Sequence, residues 1–391
     1  MSYKHTMTSC FVGYIVQAIV NNFIPLLFIT LQRQYDIPLG RITLLITVNF
    51  AVQLTVDALS ALFVDKIGTR TSIVAAHIFS AAGLILLPIL PELTAPYSGI
   101  LISVCLYAVG GGLIEVLISP IMESCPTDNK EKAMSLLHSF YCWGQVGVVL
   151  LSTVFFTVCG LDNWRILSFI WAVIPLVNAV AFIRVPIAPL VAENEQGIPL
   201  TALLKNRLFW LLMLMMVCSG ACELAVSQWA SFFAEKGLDI PKAAGDLAGP
   251  MTFAVLMGSA RAFYGKYGDR LDLDRFMTGS AALCVVSYLM ISLVPNAVVN
   301  LIGCAMCGLS VGIMWPGTFS KAAASLKNGG TALFSMLALA GDVGCSSGPT
   351  LVGFVSDRAG TDMKSGILAA AVFPVIMLIC LLGLCRKRNR N

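Results

Sequence analysis

Apolar runs long enough to cross a bilayer follow one another from Thr8 to Cys385, separated only by short polar breaks. Backbone inside lipid must satisfy its own hydrogen bonds, so runs of this kind fold as spanning helices. Apolar residues make up 58% of the 391-residue chain and charged residues only 12%, which leaves no stretch for a soluble catalytic domain. At about 20 residues per span plus a short connection, there is room for about twelve helices. Proline, glycine and charge breaks place them near 8–32, 41–64, 71–90, 97–122, 132–158 and 164–184, then 207–234, 245–264, 275–294, 297–320, 331–356 and 365–385. The fold class expected is an all-α membrane protein.

Basic residues set the orientation. With the N-terminus in the cytoplasm, Lys4, Lys66, Arg70, Lys130, Lys132, Arg184, Lys205, Arg207, Arg261, Lys266, Arg270, Arg275, Lys321, Lys327 and the basic 386–390 tail fall inside. Only Arg33, Arg41, Arg165, Lys236, Lys242, Arg358 and Lys364 are left outside. The positive-inside rule expects that bias, so both termini are placed in the cytoplasm and the chain in the plasma (inner) membrane. The first apolar segment contains Asn21, Asn22 and Pro25 and lacks a small-residue cleavage site, so it is read as a retained helix.

One loop is written twice. Asp65-Lys66-Ile67-Gly68-Thr69-Arg70 recurs about two hundred residues later as Gly265-Lys266-Tyr267-Gly268-Asp269-Arg270, each copy between a second and a third apolar segment. Gly144-Gln145-Val146-Gly147 likewise echoes Gly341-Asp342-Val343-Gly344, and Gly112 and Pro120 fall like Gly308 and Pro316. Three matches in order at a nearly constant offset point to two pseudo-symmetric six-helix bundles, the signature of a transporter. The bundles expected are 1–184 and 207–391, joined by a cytoplasmic linker at 185–206 that carries Pro186, Pro189, Glu193, Glu195, Gly197 and Pro199.

The doubled loop resembles the G-x-x-x-D-[RK]-x-G-[RK]-[RK] motif of the major facilitator superfamily. Asp65, Lys66, Gly68 and Arg70 match it, Ala61 stands at its first glycine, and the second copy has Gly265 in place of the acid. The resemblance implies that Asp65, Gly68 and Arg70, with Lys266, Gly268 and Arg270, are gating residues that latch one conformation. Met314-Trp315-Pro316-Gly317, Ala340-Gly341-Asp342 through Gly353-Phe354-Val355-Ser356-Asp357, and Gly110-Gly111-Gly112-Leu113-Ile114-Glu115 look like the fucose/hexose:proton symporter branch. That branch carries a proton-coupling carboxylate on its fourth helix, a role the resemblance hands to Glu115. Where the branch has a carboxylate on its first helix, this chain has Asn21 and Asn22. In the family's arrangement the third, sixth, ninth and twelfth helices face lipid and the other eight surround a central cavity.

Asp57, Glu115, Glu223 and Asp342 fall well inside expected spans, where one charged residue at a helix centre costs about 2.5–3.5 kcal/mol on insertion scales. Such groups must be wetted, paired or protonated, and all four lie on helices that the resemblance places around the cavity. Glu115 is the first candidate for the proton site and Asp342 the second, with Asp57 and His138 beside them. His138 and Glu115 sit at matching depths, ~10 Å from the cytoplasmic end, which fits a proton relay, although a lone histidine in a membrane is more often a helix-packing donor. Asn49, Gln53 and Asp57 recur every fourth residue on the second span, and Gln17 and Asn21 do so on the first with Tyr14 nearby. Such stripes face water or solute, or else bond helix to helix.

Gln17, Asn21, Asn49, Gln53, Gln145 and Glu223, with Trp229 and Trp315, are the expected substrate-binding residues. A sugar ring packs its C–H face on an indole while amides and carboxylates take its hydroxyls. Trp143 lies beside this set, whereas Trp164 and Trp210 are read as anchors near span ends. Arg261 is the one base well within a span and lies near its cytoplasmic end, so an anionic substrate has no central partner. Cysteines are scattered through the spans without a disulfide framework, and Cys304-x-x-Cys307 is read as packing because no His or second Cys pair stands near it in sequence. No cofactor or metal is expected, nor a nucleic-acid partner. The function expected is proton symport of a small neutral solute, sugar or polyol first, by a monomer whose partners are substrate, protons and the lipid bilayer. A proton-driven exporter of cationic or amphipathic drugs and a non-transporting membrane sensor are the alternatives, and an enzyme is excluded by the lack of any nucleophile–base pair.

Overall fold

The computed structural model describes residues 2–126, 130–188, 200–267, 271–326 and 330–388, with backbone alone for 61–63, 65, 130–135, 200–201, 265, 330–332, 334 and 385–388. The chain divides into two compact units, Met1–Val191 and Ala192–Asn391. Among the described residues ten helices or helix pairs are long and apolar enough to cross a membrane. The eighth and eleventh expected spans are helical as well, over Thr252–Tyr267 and Gly330–Arg358.

The N-terminal unit contains α1 (Tyr3–Asn22), α2 (Phe28–Tyr35), α3 (Leu39–Ile67), α4 (Thr69–Leu86), the short α5 (Leu90–Leu93), α6 (Pro96–Ser124), α7 (Lys130–Cys159) and α8 (Trp164–Arg184). The first expected span is interrupted: a 3₁₀ turn at Ile24–Leu27 separates α1 from α2. Pro25 has no N–H to continue the ladder, so the chain tightens there instead. Gly68 alone joins α3 to α4, at φ +91°, a conformation that side-chain-bearing residues rarely adopt. α1 packs on α7, α3 on α6, and α4 on both α6 and α8. Ile166, Ile170, Val173, Val177 and Val180 of α8 are exposed at helical spacing, an apolar stripe suited to lipid.

In the C-terminal unit, α9 (Leu200–Leu204) lies at the end of the expected linker, of which 189–199 fall outside the described residues. Then come α10 (Arg207–Ser227), α11 (Ala230–Phe232), α12 (Lys242–Asp246), α13 (Thr252–Tyr267), α14 (Leu273–Leu293), α15 (Ala297–Val311), α16 (Met314–Ser325), α17 (Gly330–Arg358), α18 (Met363–Ala370) and α19 (Val372–Arg388). Here α10 packs on α17, α13 on α15, and α14 on α15, α18 and α19, repeating the pairings of the first unit. The seventh expected span breaks after Ser227, and single π-helical turns follow at Phe233–Gly237 and Leu247–Met251.

Candidate functional site

In the N-terminal unit three helices bring their polar stripes together. Gln17 of α1 donates through Nε2 to Gln53 Oε1 of α3 at 3.0 Å and to Glu115 Oε2 of α6 at 3.1 Å. Gln53 Nε2 donates to Asn21 Oδ1 at 2.8 Å, and Asn49 Nδ2 reaches the same oxygen at 3.4 Å. Candidates assigned to solute and to proton thus belong to one hydrogen-bonded network. Gln17, Gln53 and Asn49 are only 2, 3 and 6% exposed, yet Gln17 Oε1 and Asn49 Oδ1 accept no hydrogen bond. A buried acceptor left empty costs about 1–3 kcal/mol, so the cluster is built with capacity for donors from elsewhere.

Gly111 explains how the helices come this close. A methyl group at that position would meet Val20, Gln17 Oε1 and the Gln53 amide at 3.1–3.2 Å, crowding the network itself. Carboxylate oxygens of Asp57 and Glu115 lie within 4.8 Å of one another, a separation at which two ionised groups repel. One turn beyond Glu115, Ser119 Oγ shares a 2.9 Å hydrogen bond with Tyr14 OH, and the Tyr14 ring lies 5.4 Å from that of His138. His138 therefore joins the edge of the cluster through Tyr14. Gln145 is buried on α7. His77, by contrast, is a packing residue: its ring nitrogens bond the Ile73 carbonyl and the Asn178 amide, both at 2.8 Å.

The candidates of the C-terminal unit are differently committed. Glu223 of α10 forms an ion pair with Arg261 of α13, Nη2 to Oε2 at 3.1 Å. Counting residues along separate helices did not anticipate this partner; an intramembrane base with no acid on its own helix is the signal that was there to follow. Trp229 is fully buried and donates its indole N–H to the Pro349 carbonyl at 2.9 Å, which makes it a strut between the α10 break and α17. Trp315 is half-buried: its ring lies against Gly341, where a Cβ would collide with it, and Asp342 follows half-buried on α17. Trp143 and Trp210 are exposed, while Trp164 is buried and donates to Gln34 Oε1 at 3.0 Å.

Among the gating candidates, Arg70 donates to the Phe182 and Ile183 carbonyls at 2.6 and 2.9 Å, and so caps the last turn of α8. Gly68 is the turn residue already described. Lys266 lies over the Tyr267 ring at 5.2 Å. Gly268 and Arg270 fall outside the described residues, as does the Asp65 side chain. Lys321 of α16 forms an ion pair with Asp274 in the first turn of α14.

A sequence profile of the Major Facilitator Superfamily matches residues 10–349. No curated protein matches the chain. The E. coli fucose:proton symporter FucP is similar in structure at 17% identity, covering 98% of this chain and 99% of its own, with a TM-score of 0.67. The xylose transporter XylE from E. coli is similar at 12% identity over 98% and 97%, with a TM-score of 0.76. A bacterial homologue of the human lysosomal transporter Spinster, facing inward, reaches a TM-score of 0.80 at 12% identity over 98% and 97%. At these identities the likeness is one of fold, and with a profile match over most of its length the chain belongs to the Major Facilitator Superfamily as a multi-pass membrane transporter.

Proposed function

We propose that the protein is a proton symporter for a small, neutral, polyhydroxylated solute, a sugar or polyol. The observation that carries this reading is the network of Gln17, Asn21, Asn49 and Gln53 hydrogen-bonded to Glu115, with two buried acceptor atoms open. A solute that brings hydroxyl donors satisfies Gln17 Oε1 and Asn49 Oδ1. An aliphatic cation offers few donors to several separated acceptors, and the Glu223–Arg261 pair removes one acid that a cation would have used. Glu115 takes the proton, because it is the carboxylate that this network holds; Asp57 shares its site, and Asp342 stands in reserve on α17. Proton uptake by Glu115 or Asp57 relieves their mutual repulsion and changes which way the Gln17 amide is needed, which links proton and solute occupancy. That FucP and XylE are described as a fucose:proton symporter and a xylose transporter supports the choice of solute.

The working arrangement is two bundles, 1–184 and 207–391, alternating access as a monomer in the plasma (inner) membrane, with both termini and the 185–206 linker on the cytoplasmic side. Trp315 supplies the stacking face and Gln145 a further amide. Asp65, Gly68, Arg70, Lys266, Gly268 and Arg270 work the cytoplasmic latch. The decisive measurement is uptake into proteoliposomes from a panel of sugars, polyols and amines under an imposed pH gradient, with Glu115→Gln alongside. Gradient-driven accumulation of a sugar or polyol that Glu115→Gln abolishes supports the reading. A gradient that drives no solute, or drives only amines outward, refutes it.

A further inference from the structure

Where the apolar stretch Arg207–Gly237 begins, the chain turns an elbow whose outer side is basic and aromatic. α9 lies on α10 and α17 with Leu203 buried, and its last residue, Leu204, is exposed. Asn206 makes the turn. Its N–H donates to the Leu203 carbonyl at 2.9 Å, and its side-chain oxygen accepts from the Leu208 N–H at 2.8 Å, which closes the start of α10. Trp210 spans the elbow by donating its indole N–H to the Leu204 carbonyl at 2.8 Å, and the fully buried Phe209 meets it edge-on at 5.7 Å. Held from two sides, the indole is still 53% exposed. Lys205 and Arg207 flank Asn206, both exposed, and no acid or carbonyl among the described residues takes either charge. Lys242, Arg261 and Lys321 are by contrast each paired with an acid.

Arg207, Trp210 and Leu214 are all exposed and follow at i, i+3 and i+7, within about 60° of one another around α10. Along the axis Arg207 stands about 5 Å to one side of the indole and Leu214 about 6 Å to the other. The headgroup layer of one leaflet is about 5–7 Å deep, and tryptophan prefers its boundary with the hydrocarbon. An indole at that boundary places Leu214 among acyl chains and Arg207 at the phosphates, with Lys205 a second cation beside it. We infer that the α9–α10 elbow binds the headgroup of one anionic phospholipid. Arg207 offers its planar fork to the phosphate, and Lys205 adds a point charge. A zwitterionic headgroup brings an ammonium that the second base repels, whereas phosphatidylglycerol brings none. The indole N–H, spent on Leu204, leaves the ring as an apolar seat for the glycerol region. A lipid held there fastens the end of the linker to the bilayer, apart from the solute and from proton coupling.

The test uses purified full-length protein in detergent, titrated with phosphatidylglycerol and read by native mass spectrometry, with phosphatidylcholine and inorganic phosphate as parallel arms. One phosphatidylglycerol should stay on each chain at detergent levels that strip phosphatidylcholine, and millimolar phosphate should not displace it. Each base beside an anionic headgroup is worth about fivefold in affinity, so Lys205→Gln/Arg207→Gln should bind about thirtyfold more weakly. Lys236→Gln, which removes an exposed base at the opposite end of the same span, should leave the affinity unchanged. A second measurement keeps both bases: phosphatidylglycerol with brominated chains, added at one lipid per chain, should quench tryptophan fluorescence, and Trp210→Phe should remove most of the quenched component. Equal retention of the two lipids means annular lipid only and overturns the inference. Displacement by phosphate, unchanged affinity in the double variant, or quenching that survives Trp210→Phe overturns it as well.

Discussion

A methyl group on Gly112 of α6 would meet the Gln53 main chain of α3 at 3.0 Å, and one on Gly308 of α15 would run into the Phe253 carbonyl of α13. Gly144 of α7 rests in the same way on Ile15 and Ala18 of α1, and Gly344 of α17 on Val217 of α10. The two units thus share close glycine contacts between corresponding helices, although on α7 and α17 the touching glycines, Gly144 and Gly344, stand one turn apart in the aligned repeats, and the chemistry hung on those contacts differs. At the α3–α6 contact the N-terminal unit places Gln53 in a network of neutral amides around Glu115. At the corresponding contact the C-terminal unit has Phe253, and its nearby acid, Glu223, is tied to Arg261. Duplication fixed the scaffold, and divergence put an amide network around Glu115 in one half and the Glu223–Arg261 ion pair in the other.

The largest effect should come from opening what the C-terminal unit has closed. Removing one partner of a mostly buried ion pair leaves an uncompensated charge and typically costs about 3–5 kcal/mol, whereas removing both often costs little. Arg261→Gln alone should therefore lower the unfolding midpoint in detergent sharply, and the double variant Glu223→Gln/Arg261→Gln should recover most of the loss. If the two single variants and the double are equally stable, the pair is not a closed structural unit, and the contrast between the halves fails.

Second in size is Glu115→Gln. A proton falling through about 100 mV supplies roughly 2.3 kcal/mol, enough for about fiftyfold accumulation of a neutral solute. The variant should equilibrate its solute without concentrating it, while exchange of labelled for unlabelled solute continues. Glu223→Gln/Arg261→Gln should keep the ability to concentrate. Accumulation surviving in Glu115→Gln and lost in the double variant would reverse the roles assigned to the two units.

Gln17→Ala tests whether the amide network binds solute. Removing one amide from a buried network costs about 1–3 kcal/mol, so solute affinity should fall roughly 5- to 150-fold. Trp229→Phe should leave affinity within about threefold, because that indole is spent on the Pro349 carbonyl and any loss of about 1 kcal/mol falls on stability. Binding calorimetry with the solute found in the uptake panel separates the two. Equal losses would mean that Trp229 touches solute after all.

Much of this was legible from the chain, and the limits have a physical origin. Runs of apolar residues and the doubled loop are local signals, so they carried the helices and their pairing. Polar stripes on α1 and α3 were equally local, since period four on a helix defines a face whatever it meets. The meeting of Gln17 with Glu115 was not, because it depends on Gly111 letting α6 close on α1 and α3. Glu223 and Arg261 stand 38 residues apart on different helices, and counting from the ends assigned them different depths.

The smallest expected effect concerns Arg70, which separates a latch from a cap. Its guanidinium bonds the Phe182 and Ile183 carbonyls, two acceptors that α8 leaves unsatisfied at its C-terminal end. A cation there also favours the helix dipole, and the two effects together are worth about 0.5–1.5 kcal/mol at an exposed site. Arg70→Gln should lower stability by about that much, and Arg70→Lys by less, since lysine keeps the charge but loses the fork that spans two carbonyls. If capping is all that Arg70 does, the transport rate should follow stability in both variants. A rate that falls at least tenfold in Arg70→Lys while the unfolding midpoint barely moves would mean that the guanidinium lets go of α8 during the cycle, and the N-terminal copy of the loop would then be a moving latch.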